Sequence, residues 1–521
     1  MKGEPLGNRK PMSNHHRAWL AAVSAVAMVA AVGSAARAET LADALALAYQ
    51  SNPTLQSQRA LQRQLDETYV QARAGLRPTL SASSTTSWSE GGQNPGTRTG
   101  VTFSASQPLF TGGRASRAID TAEAQVLAGR ENLRNVEQTV LQSVIQAYRD
   151  VLRDQQIVEI RRQSLEVLTS QLEETRARFE VGLLTRTDVA RGEAQAAQAR
   201  ALLSSAQAQL QNSRAAYATA VGQNPGELDE TPVLPGLPST VDDAFRIAED
   251  DNPALVRARI NEEASRYRVA QVRAQRNPTV SLSTSLGFTG PTDPFDLNRQ
   301  LSVSGTITQP LFTGGAVSSQ IRAALEQNNS DRILIEQQRR VTVQAVAQAW
   351  NTLQAAQANI ASNQEQVRAA TVAFEGAQEQ YRVGLSTTLD VLLTQETLRS
   401  AQLSLVQSQR DLYVAQASLL AAMGRLDAQS LIQGVPYYDP AANFEKVKNA
   451  GATPWDPLIE ALDHVLRPSP PDPGRPIPQP AAPAGGPALK PASPMPSVDA
   501  GFSTVTPTTP EPAPAATPEG R

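Results

Sequence analysis

The side chains that could do chemistry are few and scattered. Glu173-Glu174 and Asp242-Asp243 are adjacent carboxylates, the type of pair used for acid and base work, but adjacent residues on a helix do not face one another. Thr111-Gly112-Gly113-Arg114 and Thr313-Gly314-Gly315-Ala316 have the glycines of a phosphate-cradling turn. Neither carries the Lys and Ser or Thr that a nucleotide loop uses, so they read as bends where a strand enters a helix. Asp188 and Asp390 each begin a helix, where a carboxylate is favoured electrostatically. The chain of 521 residues has no Cys and three His, two of which (His15 and His16) fall in a leader segment, leaving His464. Thiolate nucleophiles, Cys-ligated metals and histidine-centred triads are therefore excluded or improbable. No catalytic residue, cofactor or metal site is expected, and the chain reads as a non-enzyme.

Composition narrows the class further. Aromatic residues make up 4% and charged residues 19% of the chain, and the mean hydropathy is −0.32. One uncharged stretch approaches the length of a membrane-spanning helix, which argues against a multi-pass helical transporter. That stretch follows Arg9, Lys10 and Arg17, runs from Ala18 to Gly33 and ends in Ala36-Arg37-Ala38, the pattern of a cleaved secretory signal peptide over residues 1–38. An uncleaved anchor helix is the alternative. The leader carries five Lys or Arg and one acid, so its removal makes the net charge of −3 more negative. An exported acidic chain without a basic stripe is not expected to bind nucleic acid. At the other end, 17 of the 36 Pro lie in residues 468–521, the composition of a disordered tail.

The body of the chain is duplicated. Asn52-Pro53-Thr54-Leu55 recurs as Asn252-Pro253-Ala254-Leu255, and Pro78-Thr79-Leu80-Ser81 as Pro278-Thr279-Val280-Ser281, both at an offset of 200. QPLFTGG at 107–113 recurs at 309–315 and FEVGLLTRTDV at 179–189 matches YRVGLSTTLDV at 381–391, at an offset of 202. Two extra residues therefore enter between the strands. Each copy reads as a helix, two strands and two long helices, giving a first repeat over 39–230 with its β-hairpin at 78–108 and a second over 231–433 with its hairpin at 278–310. A segment at 434–467 follows, ahead of the Pro-rich tail.

Residues 109–224 and 311–435 contain no Pro and are rich in strong helix formers. Val126, Leu133, Val136, Val140, Val144, Ala147, Val151, Val158, Leu165, Leu168, Leu172 and Phe179 follow at steps of three, four or seven, as in a coiled-coil seam. One helix from Arg114 to Phe179 would be about 100 Å long at 1.5 Å per residue. Gly182 and Gly384 break the helices, and a second helix runs back from each break. The strands alternate: Val280, Leu282, Thr284, Leu286 and Phe288 share one face, with Thr279, Ser281, Ser283 and Ser285 on the other. Their length suits a tilted membrane strand, though alternation alone fits a water-soluble flap equally well. SEGGQNPGT at 89–97 and GPTDPFDLN at 290–298 supply the hairpin loops. Four strands cannot close a barrel, and open edges are not tolerated in hydrocarbon, so membrane strands would require two or three chains to share one barrel.

The signal peptide, the duplicated body, the repeated QPLFTGG junction and the repeated VGL turns resemble the TolC-type outer-membrane channels of efflux pumps and type I secretion systems. The resemblance covers roughly residues 40–435, and VPYYDPAANFEKV after 434 resembles the type I secretion branch less specifically. The implied fold is mainly α with β: long coiled-coil helical hairpins forming an α-barrel, four short strands per chain contributing to a shared transmembrane β-barrel, and an internal two-fold sequence repeat. The implied function is a passive homotrimeric exit duct in the outer membrane of a Gram-negative cell. Most of it would lie in the periplasm, in contact with outer-membrane lipid, a periplasmic adaptor (membrane fusion) protein and an inner-membrane transporter.

By that resemblance, Val181-Gly182-Leu183 and Val383-Gly384-Leu385 are adaptor-docking turns. Asp390, Tyr381 and Asp188 belong to the gate, where a ring of acids would favour cations. Pro108, Phe110, Gly112, Gly113, Pro310, Phe312, Gly314 and Gly315 form the barrel-to-helix junctions. Leu393 and Ser386 stand where the family usually has a second gate acid and an Arg, so the polar latch is incomplete. Helix-turn chemistry alone would also explain the turns, and capping alone the two aspartates. The competing reading is a periplasmic coiled-coil scaffold or adaptor.

Overall fold

The computed structural model describes residues 38–91, 95–232, 234–290, 298–432 and 434–473. The leader, the Pro-rich tail beyond 473, and the central residues of both hairpin loops lie outside the described residues.

Two copies of one element series follow in order. The first is α1 (Leu41–Ser51), α2 (Pro53–Ala74), β1 (Thr79–Ser89), β2 (Gly96–Phe110), α3 (Arg114–Glu180) and α4 (Arg186–Val221). The second is α5 (Val241–Asp251), α6 (Pro253–Arg273), β3 (Thr279–Gly290), β4 (Asn298–Thr308), α7 (Ala316–Arg382) and α8 (Thr388–Met423). Short helices α9 (Ala428–Leu431), α10 (Pro440–Val447) and α11 (Asp456–His464) complete the described chain.

The repeated motifs explain this punctuation. Asn52 and Asn252 split what the sequence suggested was one leading helix into two. Each side-chain oxygen caps the next helix, accepting from the amides of Thr54 (3.0 Å) and Ala254 (3.1 Å), while Pro occupies the first helical position, where a missing N–H costs nothing. Each amide nitrogen also donates to the end of the returning helix, Asn52 to the Ala220 carbonyl (3.0 Å) and Asn252 to that of Ala422 (2.9 Å). Gln107 and Gln309 do a parallel job at the other end, donating to the carbonyls of Leu76 (2.8 Å) and Arg276 (3.0 Å) and so fixing strand to helix.

α3 and α7 are each 67 residues long, and α4 and α8 are each 36. Most of the seam named above is buried, but Val136 and Leu165 are only partly covered and Phe179, near the turn, is exposed. The main core sits partway along the rods, where α1 and α5 flank them. There Tyr148 and Tyr217 are fully buried with ring centroids 6.3 Å apart, and the Tyr148 hydroxyl donates to the carbonyls of Glu39 (2.8 Å) and Asp229 (2.7 Å).

The strands form one antiparallel sheet in the order β1-β2-β3-β4. Its register places Leu80, Ala82 and Trp88 on the same face as Val101, Phe103, Leu286, Phe288, Leu301 and Val303. The other face is a ladder of hydroxyls: Ser81 with Ser104 (2.9 Å), Ser283 with Ser304 (2.9 Å) and Ser285 with Ser302 (2.7 Å). Among the described residues β1 and β4 are edges without a strand partner. No described helix is long and apolar enough to cross a membrane.

Candidate functional site

Both helix turns are built alike. Gly182 and Gly384 take a left-handed backbone (φ 79° in each), which lets the chain fold back on the helix end. The amides of Leu183 and Leu385 then donate to the carbonyls of Arg178 (2.9 Å) and Gln380 (2.8 Å), satisfying groups that a helix end leaves open. Thr185 and Thr387 cap the returning helices, and Asp188 and Asp390 close reciprocal capping boxes with them. The side chains of Val181, Leu183, Val383 and Leu385 are left exposed on the two turns.

The gate candidates occupy different surroundings. Asp390 is exposed and Asp188 partly so, and each takes the Thr hydroxyl at 2.7 Å and the Thr amide, at 2.9 and 3.0 Å respectively. Those side-chain and backbone hydrogen bonds, from Thr185 and from Thr387, hold both carboxyls below the usual aspartate range. Ser386 adds a third donor to Asp390 at 3.2 Å. Tyr381 is buried against Ala377 and Val391, and the Arg178 guanidinium lies 4.5 Å from its ring centroid, joining the first hairpin to the second. Its hydroxyl has no hydrogen-bond partner among the described residues, so no hydrogen bond brings Tyr381 and Asp390 together. Leu393 is exposed.

The strand-to-helix junctions share a backbone and differ in surroundings. Gly112 and Gly113, like Gly314 and Gly315, have positive φ. In the first junction a Cβ on Gly112 would lie 2.5 Å from that of Asn277, and one on Gly113 would lie 2.7 Å from Arg467 Cα. Pro108 and Phe110 flank a register shift in β2. The second junction, with Pro310 and Phe312, has nothing within 4 Å of either glycine's Cβ position.

What closes the first junction was not singled out in the sequence. Asp463, fully buried on α11, accepts from the Thr111 amide (2.6 Å) and hydroxyl (2.8 Å), the Gly113 amide (3.2 Å), and the Ser116 amide (3.2 Å) and hydroxyl (2.5 Å). It supplies the cap that Gly113 cannot, at the positive end of a 67-residue helix. Burial works against its ionisation, but the hydrogen bonds from Ser116, Thr111 and Gly113 prevail and hold its carboxyl below the usual range. Two ion pairs fasten α11 to the end of α2 and to the turn that follows it: Arg73 with Glu460 (2.5 Å) and, in the turn, Arg77 with Asp456 (3.0 Å), the latter pair largely buried. Among the described residues no group of His, Asp and Glu could hold a metal ion.

The outer membrane efflux protein family model matches residues 44–223 and again 245–425, the two element series above. The chain belongs to the outer membrane efflux protein family. It is 36% identical over 424 residues to the outer membrane efflux protein BepC of Brucella suis, covering 80% of this chain and 92% of that relative. To the outer membrane protein TolC of Escherichia coli it is 25% identical over 419 residues, covering 77% and 85%. Among solved structures, the outer membrane protein VceC of Vibrio cholerae superposes with a TM-score of 0.63 at 26% identity, over 74% of this chain and 96% of that one. Members of this efflux family are transport proteins rather than enzymes.

Proposed function

We propose that three copies assemble into a passive outer-membrane duct, the exit of a tripartite type I secretion or efflux system, gated at its periplasmic end. The observation that carries this reading is the sheet: one apolar face, one hydroxyl face and two open edges. An apolar outer face suits lipid, a hydroxyl-lined inner face suits a water-filled lumen, and hydrocarbon requires the edges to be joined. Two copies would give eight strands, whose interior is just filled by side chains, whereas three give twelve and leave a passage. A periplasmic scaffold with a soluble flap would leave Leu80, Trp88, Leu301 and Val303 in water.

In this reading the long helices of the three copies form an α-barrel across the periplasm, and residues 1–38 are removed on export. Exposed Val181, Leu183, Val383 and Leu385 are the apolar contacts that an adaptor would cover, bringing an inner-membrane transporter to the tip. Asp390 and Asp188 contribute rings of fixed negative charge, and Tyr381 under Arg178 locks the two hairpins against each other. The segment 434–467 clasps the first repeat on the periplasmic side. Mass measurement of the detergent-purified protein, followed by planar-bilayer conductance, tests the reading. A trimer with a steady pore is expected, and water-soluble monomers without conductance would overturn it.

A further inference from the structure

Helix α11 is built inside out. Its three carboxylates are turned to the protein, Asp456 pairing with Arg77, Glu460 with Arg73, and Asp463 capping α3, while Ile459 packs with Leu76 and Ala115. The side left outside carries Trp455, Leu458, Ala461, Leu462, Val465 and Leu466, and none of the exposed residues from 454 to 466 is acidic. Leu458 and Val465 are 63% and 74% exposed. A contiguous apolar patch of this kind marks a surface that something covers.

The course of the helix identifies what that is. Asp456 pairs with Arg77 just ahead of β1, Asp463 binds Thr111 just after β2, and the Leu466 carbonyl accepts from Asn277 (3.0 Å) just ahead of β3. α11 therefore runs across the ends of three strands, parallel to the plane of any membrane that those strands cross. It also lies on the apolar side of the sheet. Trp455 Nε1 donates to Gln107 Oε1 (3.3 Å), and Gln107 pairs in the register with Leu282, which shares its face with Leu286 and Phe288. Leu109 packs on the Ile459 cluster from the same strand. Copies joined at the edges of the sheet extend this row sideways and leave its outer side open, and the Pro- and Ala-rich sequence after 473 has no apolar run to lay over it.

We propose that α11 is an interfacial foot, whose outer side from Trp455 to Leu466 lies in the periplasm-facing leaflet of the outer membrane, where headgroups meet acyl chains. The proposal rests on the reading that the apolar face of the sheet meets lipid. It adds a second lipid contact, outside the strands and outside both regions matched by the family model. An amphipathic helix in this position buries its apolar side in the leaflet and lies in its plane. Trp455 suits that depth, since its ring is apolar and its N–H is already held by Gln107. With the three acids spent on protein partners, no exposed carboxylate repels anionic headgroups. Because Arg77 and Asp463 tie α11 to strand and rod, its grip on lipid sets the height at which the sheet leaves the membrane.

The absence of Cys lets a single nitroxide label report on each position. Full-length Leu458→Cys and Leu462→Cys, labelled and reconstituted in vesicles of phosphatidylethanolamine and phosphatidylglycerol, are compared with Leu286→Cys on the apolar face of β3 and Ser285→Cys on its hydroxyl face. Collision of each label with oxygen, which concentrates in lipid, and with a water-soluble nickel chelate is measured by power saturation. The labels on α11 are expected to favour oxygen over nickel severalfold more than the Ser285→Cys label does, as the Leu286→Cys label also should. Nickel access on α11 equal to that at Ser285→Cys, with Leu286→Cys still in lipid, would place the helix in water. Low access of both reagents to α11 would place protein over it. Either result overturns the foot and leaves the barrel standing. Loss of the oxygen preference at Leu286→Cys itself would remove the barrel reading and this inference together.

Discussion

Asp463 accepts a 2.6 Å hydrogen bond from the backbone amide of Thr111, which precedes it by 352 residues. The contact ties the C-terminal helix α11 to the point where β2 gives way to α3, so one carboxylate both caps the rod and fixes its angle to the sheet.

Replacing Asp463 by Asn keeps the size but removes the charge, and it turns a donor toward Ser116 or Thr111. The cost should be about 3 kcal/mol, since buried donors lose their acceptor. The pH dependence carries the sign. A carboxyl held below its ordinary value of 3.8 stabilises the fold above that value, and the stabilisation is lost as pH falls through the lower folded value. Thermal melts of wild type and Asp463→Asn should therefore be well separated at pH 7 and converge toward pH 3. A constant separation would show that the charge is not what matters.

Asp390 tests the gate. Its alanine variant should conduct with a lower cation-to-anion permeability ratio than wild type in planar bilayers. Thr387 holds the Asp390 carboxyl below the usual range, so it stays ionised and the wild-type ratio should not change between pH 7 and pH 5. An unaltered ratio in the variant would reduce Asp390 to a helix cap.

The two faces of β3 should respond oppositely to charge. Leu286→Arg places a guanidinium on the apolar face and should destabilise insertion by about 3 kcal/mol near mid-membrane, whereas Ser285→Arg, on the hydroxyl face, should insert almost normally and narrow the pore. Folding titrations into lipid vesicles measure both. Equal losses would contradict the assignment of faces.

Asn52 and Asn252 each cap one helix and bind the end of another, so alanine at either should cost about 2 kcal/mol, the sum of a cap and a partly buried hydrogen bond. Asp keeps the capping oxygen but not the donor and should recover about half of this. Chemical denaturation of the single and double variants should find the two sites close to additive.

The sequence revealed the parts of this architecture that repeat. Asn252 and Gln309 stood out because Asn52 and Gln107 precede them by 200 and 202 residues within matching motifs, and the hydrogen bonds show why all four occur. The long helices were visible as unbroken stretches without Pro, and the breaks between them as Gly182 and Gly384. The split at Asn52 was missed because Asn-Pro marks both a break and a fresh start, and nothing local shows that the break is fastened to Ala220. Asp463 was invisible for a different reason: it occurs once, in a segment outside the repeat, and its five donors lie about 350 residues away. The role given to Tyr381 came from resemblance; its burial under Arg178 depends on packing between hairpins, which no local pattern encodes.

The matched lengths of α3 with α7, and of α4 with α8, act as a ruler. A heptad inserted into α3 and α4 alone would push the first turn out by about 10 Å while the second stayed behind. A change of reach in this chain must therefore be written four times, at matched positions in all four rods, which makes paired insertions the signature to seek in longer or shorter relatives.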